Sequence, residues 1–227
     1  MTRRHLIAAL DVAEAQRAVD LAAALRDHTA MVKIGLEGFV AHGPDLVRRM
    51  QDVGAAVFLD LKLHDIPRTV HAAIRSACRL GVHLLTIHAA GGADMIKAAV
   101  DARTGSTQIV AVTILTSLDE PRLRQVGFDV PVAEAATRLG ALAVQNGVDG
   151  LVCSAHELAA LASLGGVRVV PGVRPAGSDP SDQRRIATPA DAVRGGATWI
   201  VVGRPIVQAA DPVAAAAAIQ QEIVAAT

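Results

Sequence analysis

Cysteine is nearly absent from this chain. Two of its 227 residues, Cys78 and Cys153, carry thiols, too few and too scattered for a disulfide framework or a cysteine-based zinc site. Cys78 falls in a helical pattern and Cys153 in an apolar strand, so both read as core residues of a protein in a reducing cytoplasm. An excess of either charge is also missing, since Lys and Arg total 22 and Asp and Glu total 22. With zero net charge no basic surface offers itself to nucleic acid or to a membrane, and small-molecule substrates are the expected partners. No stretch approaches the about 18 consecutive apolar residues of a membrane span. The apolar run Leu6 to Leu10, behind Arg3 and Arg4, stops at Asp11 and is too short for a signal-peptide core. His5, His28, His42, His71, His83 and His156 show no metal-ligand spacing.

What the chain does have is a regular alternation of apolar, often β-branched runs with longer segments rich in Ala, Leu and Arg. That alternation marks βα units around a parallel sheet. Strands are expected at His5–Leu10, Ala30–Gly35, Ala55–Asp60, Val82–His88, Gln108–Leu115, Asp149–Cys153, Val167–Pro171 and Thr198–Gly203. Helices are expected at Val12–Arg26, Pro44–Val53, Arg68–Arg79, Ala93–Arg103, Val132–Asn146, Ala155–Ala162, Pro189–Arg194 and Pro212–Ala226. Eight such units favour a closed (β/α)8 barrel forming one domain over 1–227, with a doubly wound open sheet as the alternative. No linker or low-complexity tract divides the chain. The longest connections, Thr116–Pro131 and Gly172–Thr188, have the length of lids or binding loops.

The third strand runs into Asp60-Leu61-Lys62-Leu63-His64-Asp65-Ile66-Pro67. If the strand persists to Lys62, Asp60 and Lys62 point to one side, because side chains alternate with period two. Asp65 then lies just beyond, on the connection. Two carboxylates flanking an ammonium form either a strand-end salt bridge or a site, and buried charges are costly unless they pair.

Other strands end in the same way. Asp11 follows the first, Lys33 lies in the second, His88 closes the fourth, and Thr113 and Thr116 follow the fifth. Pro171-Gly172-Val173-Arg174-Pro175 and Gly203-Arg204-Pro205 follow the seventh and eighth. The opposite strand ends look bland. Barrel chemistry sits at the carboxyl ends of the strands, so the recurrence favours a site there. Gly203 and Arg204 suit a phosphate, with Gln183 of the seventh loop able to donate its amide to the same group. A surface salt bridge for Arg204 and a solvated seventh loop are the plainer alternatives. His64, His88 and Trp199 read as structural.

In their order along the chain these residues resemble the orotidine 5'-phosphate decarboxylase family. The match runs through Ala9-Leu10-Asp11, Lys33-Ile34-Gly35, the signature Asp60, Lys62, Asp65, Ile66 and Pro67, and His88-Ala89-Ala90-Gly91-Gly92. It continues through Val112-Thr113-Ile114-Leu115-Thr116-Ser117, Pro171-Gly172-Val173-Arg174-Pro175, Asp182-Gln183-Arg184-Arg185 and Val201-Val202-Gly203-Arg204-Pro205. Arg68 stands where many bacterial members have Asn, and Ser181 where Gly usually precedes Asp-Gln. The resemblance implies a TIM-barrel homodimer, free of cofactor and metal, that converts orotidine 5'-phosphate to uridine 5'-phosphate and carbon dioxide. It implies a catalytic charge network of Lys33, Asp60, Lys62 and Asp65, with Lys62 the proton donor. Asp65 and Ile66 would reach across from the partner subunit. Asp11 and Lys33 would hold ribose hydroxyls, Thr116 the pyrimidine, and Gln183, Gly203 and Arg204 the phosphate, with Pro171 near the base and Arg174 also binding substrate. A magnesium-dependent sugar-phosphate decarboxylase or aldolase of the same barrel superfamily, and a catalytically silent phosphate-binding protein, are the other readings.

Overall fold

The computed structural model describes residues 5–175 and 187–226. Eight parallel strands close into a barrel in sequence order: β1 (Leu6–Ala9), β2 (Met31–Ile34), β3 (Val57–Leu63), β4 (Leu84–His88), β5 (Gln108–Val112), β6 (Gly150–Val152), β7 (Val167–Val170) and β8 (Trp199–Val202). Closure comes from β1 pairing with β8, Ile7 against Val201, so the open-sheet alternative is set aside. Period-two alternation divides every strand. Ile7, Met31, Phe58, Leu84, Val110, Val152, Val169 and Val201 point inward and fill the barrel. Their neighbours, such as Ala8, Val32, Leu59 and Leu85, point outward into the shell of helices.

That shell contains α1 (Ala15–Leu25), α2 (Leu36–Asp52), α3 (Pro67–Cys78), α4 (Gly92–Asp101), α5 (Glu120–Gln125), α6 (Val132–Gln145), α7 (Leu158–Leu161), α8 (Pro189–Arg194), α9 (Arg204–Val207) and α10 (Pro212–Ala226). Local chemistry sets several of the starts. Thr188 accepts the Asp191 amide at 3.1 Å ahead of Pro189 in α8, and Asp211 accepts the amides of Val213 and Ala214 at 3.0 and 2.9 Å ahead of α10. None of the described helices is long and apolar enough to cross a membrane.

Three expectations need correction. The second helix begins at Leu36 rather than Pro44, because α2 is two helical segments joined at a break where Gly43 has φ 61°. Gly43-Pro44 reads as a helix start, and it is one, but only of the second segment. The stretch expected as the long Thr116–Pro131 loop contains α5, capped by Asp119 through the Arg122 amide. Nor are the amino-terminal strand ends bland. Asp149 accepts the Ile109 amide at 2.8 Å and pairs with Arg103, and the buried Arg168 donates to the carbonyls of Leu161 at 2.7 Å and of Gly165 and Gly166 at 3.0 Å. These groups satisfy chain ends and close the barrel floor. The second long connection, Gly172–Thr188, falls mostly outside the described residues.

Candidate active site

The carboxyl end of the barrel gathers four charges from three neighbouring strands. Lys33 on β2 is 8% exposed and Asp60 on β3 is 9% exposed. Lys62 Nζ donates to Asp60 Oδ2 at 2.8 Å, and Lys33 Nζ lies 3.7 Å from that oxygen. Lys33 Nζ also donates to Asp11 Oδ1 at 3.1 Å, just past β1. The row therefore alternates in sign, Asp11, Lys33, Asp60, Lys62, and each ammonium has a carboxylate beside it. No side chain fits behind the first pair: a Cβ on Gly35 would stand 2.8 Å from Asp11 Oδ1 and 2.9 Å from Lys33 Nζ.

Asp60 and Lys62 do share a side, but simple alternation is only part of the reason. The β3–β4 pairing steps from Leu59 opposite Leu85 to Leu63 opposite Ile87, so β3 spends four residues where β4 spends two. The surplus forms a bulge. Within it Lys62 takes φ 50°, the one positive φ outside glycine among the described residues, a conformation that persists only where the surroundings over-determine it. Its amide donates to Thr86 Oγ1 at 2.8 Å, and that hydroxyl donates to Asp60 Oδ1 at 2.9 Å.

Burial alone would push the Asp60 carboxyl up. The charges of Lys33 and Lys62, together with hydrogen bonds from Lys62 and Thr86, overcome that and hold it below the usual carboxylate value. His88, at the end of β4, is shifted the other way in charge. Burial, and then the positive charges of His64 and Lys62, lower its pKa against the opposing pull of Asp60. Its ring centroid lies 5.5 Å from that of His64.

Two adjoining cavities open on the charge row. One, of about 210 Å³, has Lys33, Asp60 and Lys62 on one side and an apolar wall of Phe58, Val112, Val152, Val169 and Val201 on the other, with Thr116 and Pro171 also in its lining. The second, of about 390 Å³, is lined by Asp11, Lys33, Pro171, Gly172, Arg174, Gly203 and Arg204. Lys33, Pro171 and Val201 belong to both. An apolar slot with charge at one edge thus continues into a cationic end, a shape suited to a flat ring joined to an anion. Among the described residues no three His, Cys, Asp or Glu side chains are grouped to hold a metal ion.

Of the expected site residues, Asp11, Lys33, Asp60, Lys62, Thr116, Pro171, Arg174, Gly203 and Arg204 meet at these two cavities. Asp65 and Ile66 do not. They line a separate shallow depression with His64, Pro67, Ala90 and Gly91, where Asp65 Oδ1 accepts the Ile66 amide at 2.6 Å and Ile66 is 65% exposed. Gln183 lies outside the described residues. Lys33 bears on Asp11 and Asp60 rather than directly on Lys62. Sequence reasoning missed Thr86, whose signal is a lone hydroxyl in an apolar strand run, two residues before His88 and on its face. It also missed the apolar wall, which any barrel interior would supply.

Comparison with known proteins adds an independent line. Residues 4–219 match the family model described as orotidine 5'-phosphate decarboxylase / HUMPS family. The orotidine 5'-phosphate decarboxylase of Anaeromyxobacter sp. (strain K) is 52% identical over 218 residues, covering 95% of this chain and 96% of that protein. The one from Halorhodospira halophila is 50% identical over 228 residues, covering 98% and 97%. A crystal structure of orotidine 5'-phosphate decarboxylase from Lactobacillus acidophilus superposes with a TM-score of 0.84 at 37% identity, over 97% of this chain and 99% of that one.

Proposed function

This chain belongs to the orotidine 5'-phosphate decarboxylase / HUMPS family, and we propose that it decarboxylates orotidine 5'-phosphate to uridine 5'-phosphate and carbon dioxide, with Lys62 as proton donor. The observation that carries this is the charge row set along the edge of an apolar slot that runs into a cationic end. The pyrimidine lies in the slot, with Thr116 and Pro171 near the base. Ribose hydroxyls meet Asp11 and Lys33, and the phosphate meets Arg174, Gly203 and Arg204, with Gln183 completing that end.

The chemistry follows from the charges. As the carboxyl group leaves as carbon dioxide, the electron pair of the broken bond stays on a ring carbon. A carbanion localised there needs a cation beside it and then a proton, and one ammonium at that edge supplies both. Asp60 pairs with Lys62 at 2.8 Å and fixes where its Nζ stands. A substrate carboxylate arriving beside Asp60 is crowded by like charge, and this relaxes as carbon dioxide departs. One charge contact of about 4 kcal/mol at a surface-like dielectric is small against the about 8–23 kcal/mol that enzymes supply. Preorganisation of the whole row, and binding energy from the phosphate end, make up the difference.

The reading extends to a homodimer in which Asp65 and Ile66 serve the partner's site. Its support is that both sit outside their own chain's cavities, with Ile66 an exposed large apolar side chain. The relatives at about half identity over nearly their whole length, bearing the nucleotide enzyme's name, favour the orotidine 5'-phosphate reaction over the magnesium-dependent sugar-phosphate alternative. The test follows the ultraviolet spectrum of orotidine 5'-phosphate with purified protein in excess chelator, beside folded Lys62→Ala. Turnover by the wild type and none by the variant is expected. A wild-type rate that vanishes with chelator and returns with magnesium would transfer the site to the alternative, and substantial turnover by Lys62→Ala would remove Lys62 as the donor.

A further inference from the structure

We propose that Thr86 is a positioning residue for this reaction, its single hydroxyl locking the Asp60 carboxylate and the backbone of Lys62 into one rigid unit. The proposal rests on the decarboxylase reading of the site and adds to it a residue outside the charge row. Thr86 is fully buried on β4, in the strand layer that follows the inward-facing Leu84. Phe58 pairs with Leu84, which brings Asp60 level with Thr86 one alternation further on. The β3 bulge begins at this point. It carries the Lys62 amide out of ordinary strand pairing, and the Thr86 oxygen accepts that amide at 2.8 Å. The same oxygen spends its only proton on Asp60 Oδ1 at 2.9 Å.

The orientation of both bonds follows from this count. Asp60 Oδ2 is taken by Lys62 Nζ at 2.8 Å, so Oδ1 is the oxygen left to anchor, and an ionised carboxylate only accepts. The Lys62 amide only donates. A hydroxyl gives to the first and receives from the second through a single oxygen. Its methyl group meanwhile packs as valine would. The left-handed backbone at Lys62 then persists because its amide has a partner there and a better strand geometry would forfeit it. Thr86 touches no substrate on this account. It sets where two groups that do touch substrate stand, and misplacing reacting groups by about 1 Å costs on the order of 100-fold in rate.

The test compares Thr86→Val, which keeps the shape and removes the hydroxyl, with Thr86→Ser, which keeps the hydroxyl and removes the methyl. Steady-state kinetics with orotidine 5'-phosphate should show kcat falling on the order of 100-fold in Thr86→Val, with KM changed by no more than about threefold, since the phosphate end is intact. Thr86→Ser should recover to within about fivefold of wild-type kcat. The acid limb of the kcat profile should also move to higher pH in Thr86→Val, because Asp60 loses one of the hydrogen bonds that lower its pKa. Should Thr86→Val not fold, Thr86→Ala serves the same comparison. A kcat within about threefold of wild type in the variant without the hydroxyl, or a serine variant no better than it, overturns the role. Absence of turnover in the wild type would instead count against the decarboxylase reading, so the two failures are distinct.

Discussion

Replacing Asp60 by Asn tests the electrostatics of the site without opening a cavity. Its Oδ2 lies 2.8 Å from Lys62 Nζ and 3.7 Å from Lys33 Nζ, and opposite unit charges about 4 Å apart attract by about 4 kcal/mol at an effective dielectric near 20. Lys33 keeps Asp11 at 3.1 Å, so the larger loss falls on Lys62. Breaking a fully buried pair by removing one partner costs about 3–5 kcal/mol, and the loss here falls below that range because the Lys62 side chain is 30% exposed and water screens part of its charge. The destabilisation should be largest near neutral pH and shrink on the acid side. The folded-state pKa of Asp60 is depressed, so its stabilisation is present above the unfolded-state value and is lost as pH falls through the folded one. The asparagine variant has no such contribution to lose. Urea unfolding of both proteins across pH, at one protein concentration, measures the difference directly. A difference under about 1 kcal/mol near neutrality, or one constant with pH, would refute the claim that Asp60 holds the row together.

Three further outcomes are expected. Arg204→Ala should weaken uridine 5'-phosphate on the order of 10- to 100-fold, as for a charged hydrogen bond of about 1.5–3 kcal/mol, while hardly changing binding of the bare nucleoside in calorimetry. Equal losses for both would reject its phosphate role. His88→Asn should flatten the acid side of the stability profile: the folded pKa of His88 is lowered, so wild-type stability present above the ordinary histidine value falls as pH drops through the folded one. Parallel profiles would show that His88 does not report on the cluster. Finally, Asp60→Asn and Asp65→Asn chains, each inactive alone, should regain activity on mixing and subunit exchange, because half of the hybrid sites are then intact. No recovery at any mixing ratio would count against sharing.

How far these features are legible in the sequence depends on whether their cause is local. Strand count and placement follow from side-chain runs that each segment carries itself, and Pro189–Arg194 and Pro212–Ala226 form as expected because proline opens both. The strand-end charges are legible because barrel interiors admit charge only near the rim. The bulge at Lys62 is not, since it exists only relative to β4 and no property of β3 alone announces two surplus residues. Thr86 hides for the same reason, being one hydroxyl whose use is decided by a strand 26 residues away in sequence. Asp65 is the opposite case. Its spacing from Lys62 suggests a shared site, but the chain turns at Asp65 to begin α3 and carries the carboxylate to another surface.

The charge row also constrains how binding and chemistry divide between the two cavities. Asp11 and Asp60 match Lys33 and Lys62 one for one, so the row as it stands has no surplus cation with which to attract a substrate carboxylate. A ligand bearing that carboxylate gains less at this end than its charge suggests, since Lys62 is already paired and Asp60 repels it. Affinity must then come from the cationic end, where Arg174 and Arg204 line the larger cavity. On the proposed reading, binding energy realised there would hold the reacting carbon against Asp60 and Lys62, with the strain relieved only as carbon dioxide leaves and the proton moves. It follows that removing the phosphate from the substrate should lower kcat as well as affinity, because the group that binds most tightly is also what holds the ring in an unfavourable place.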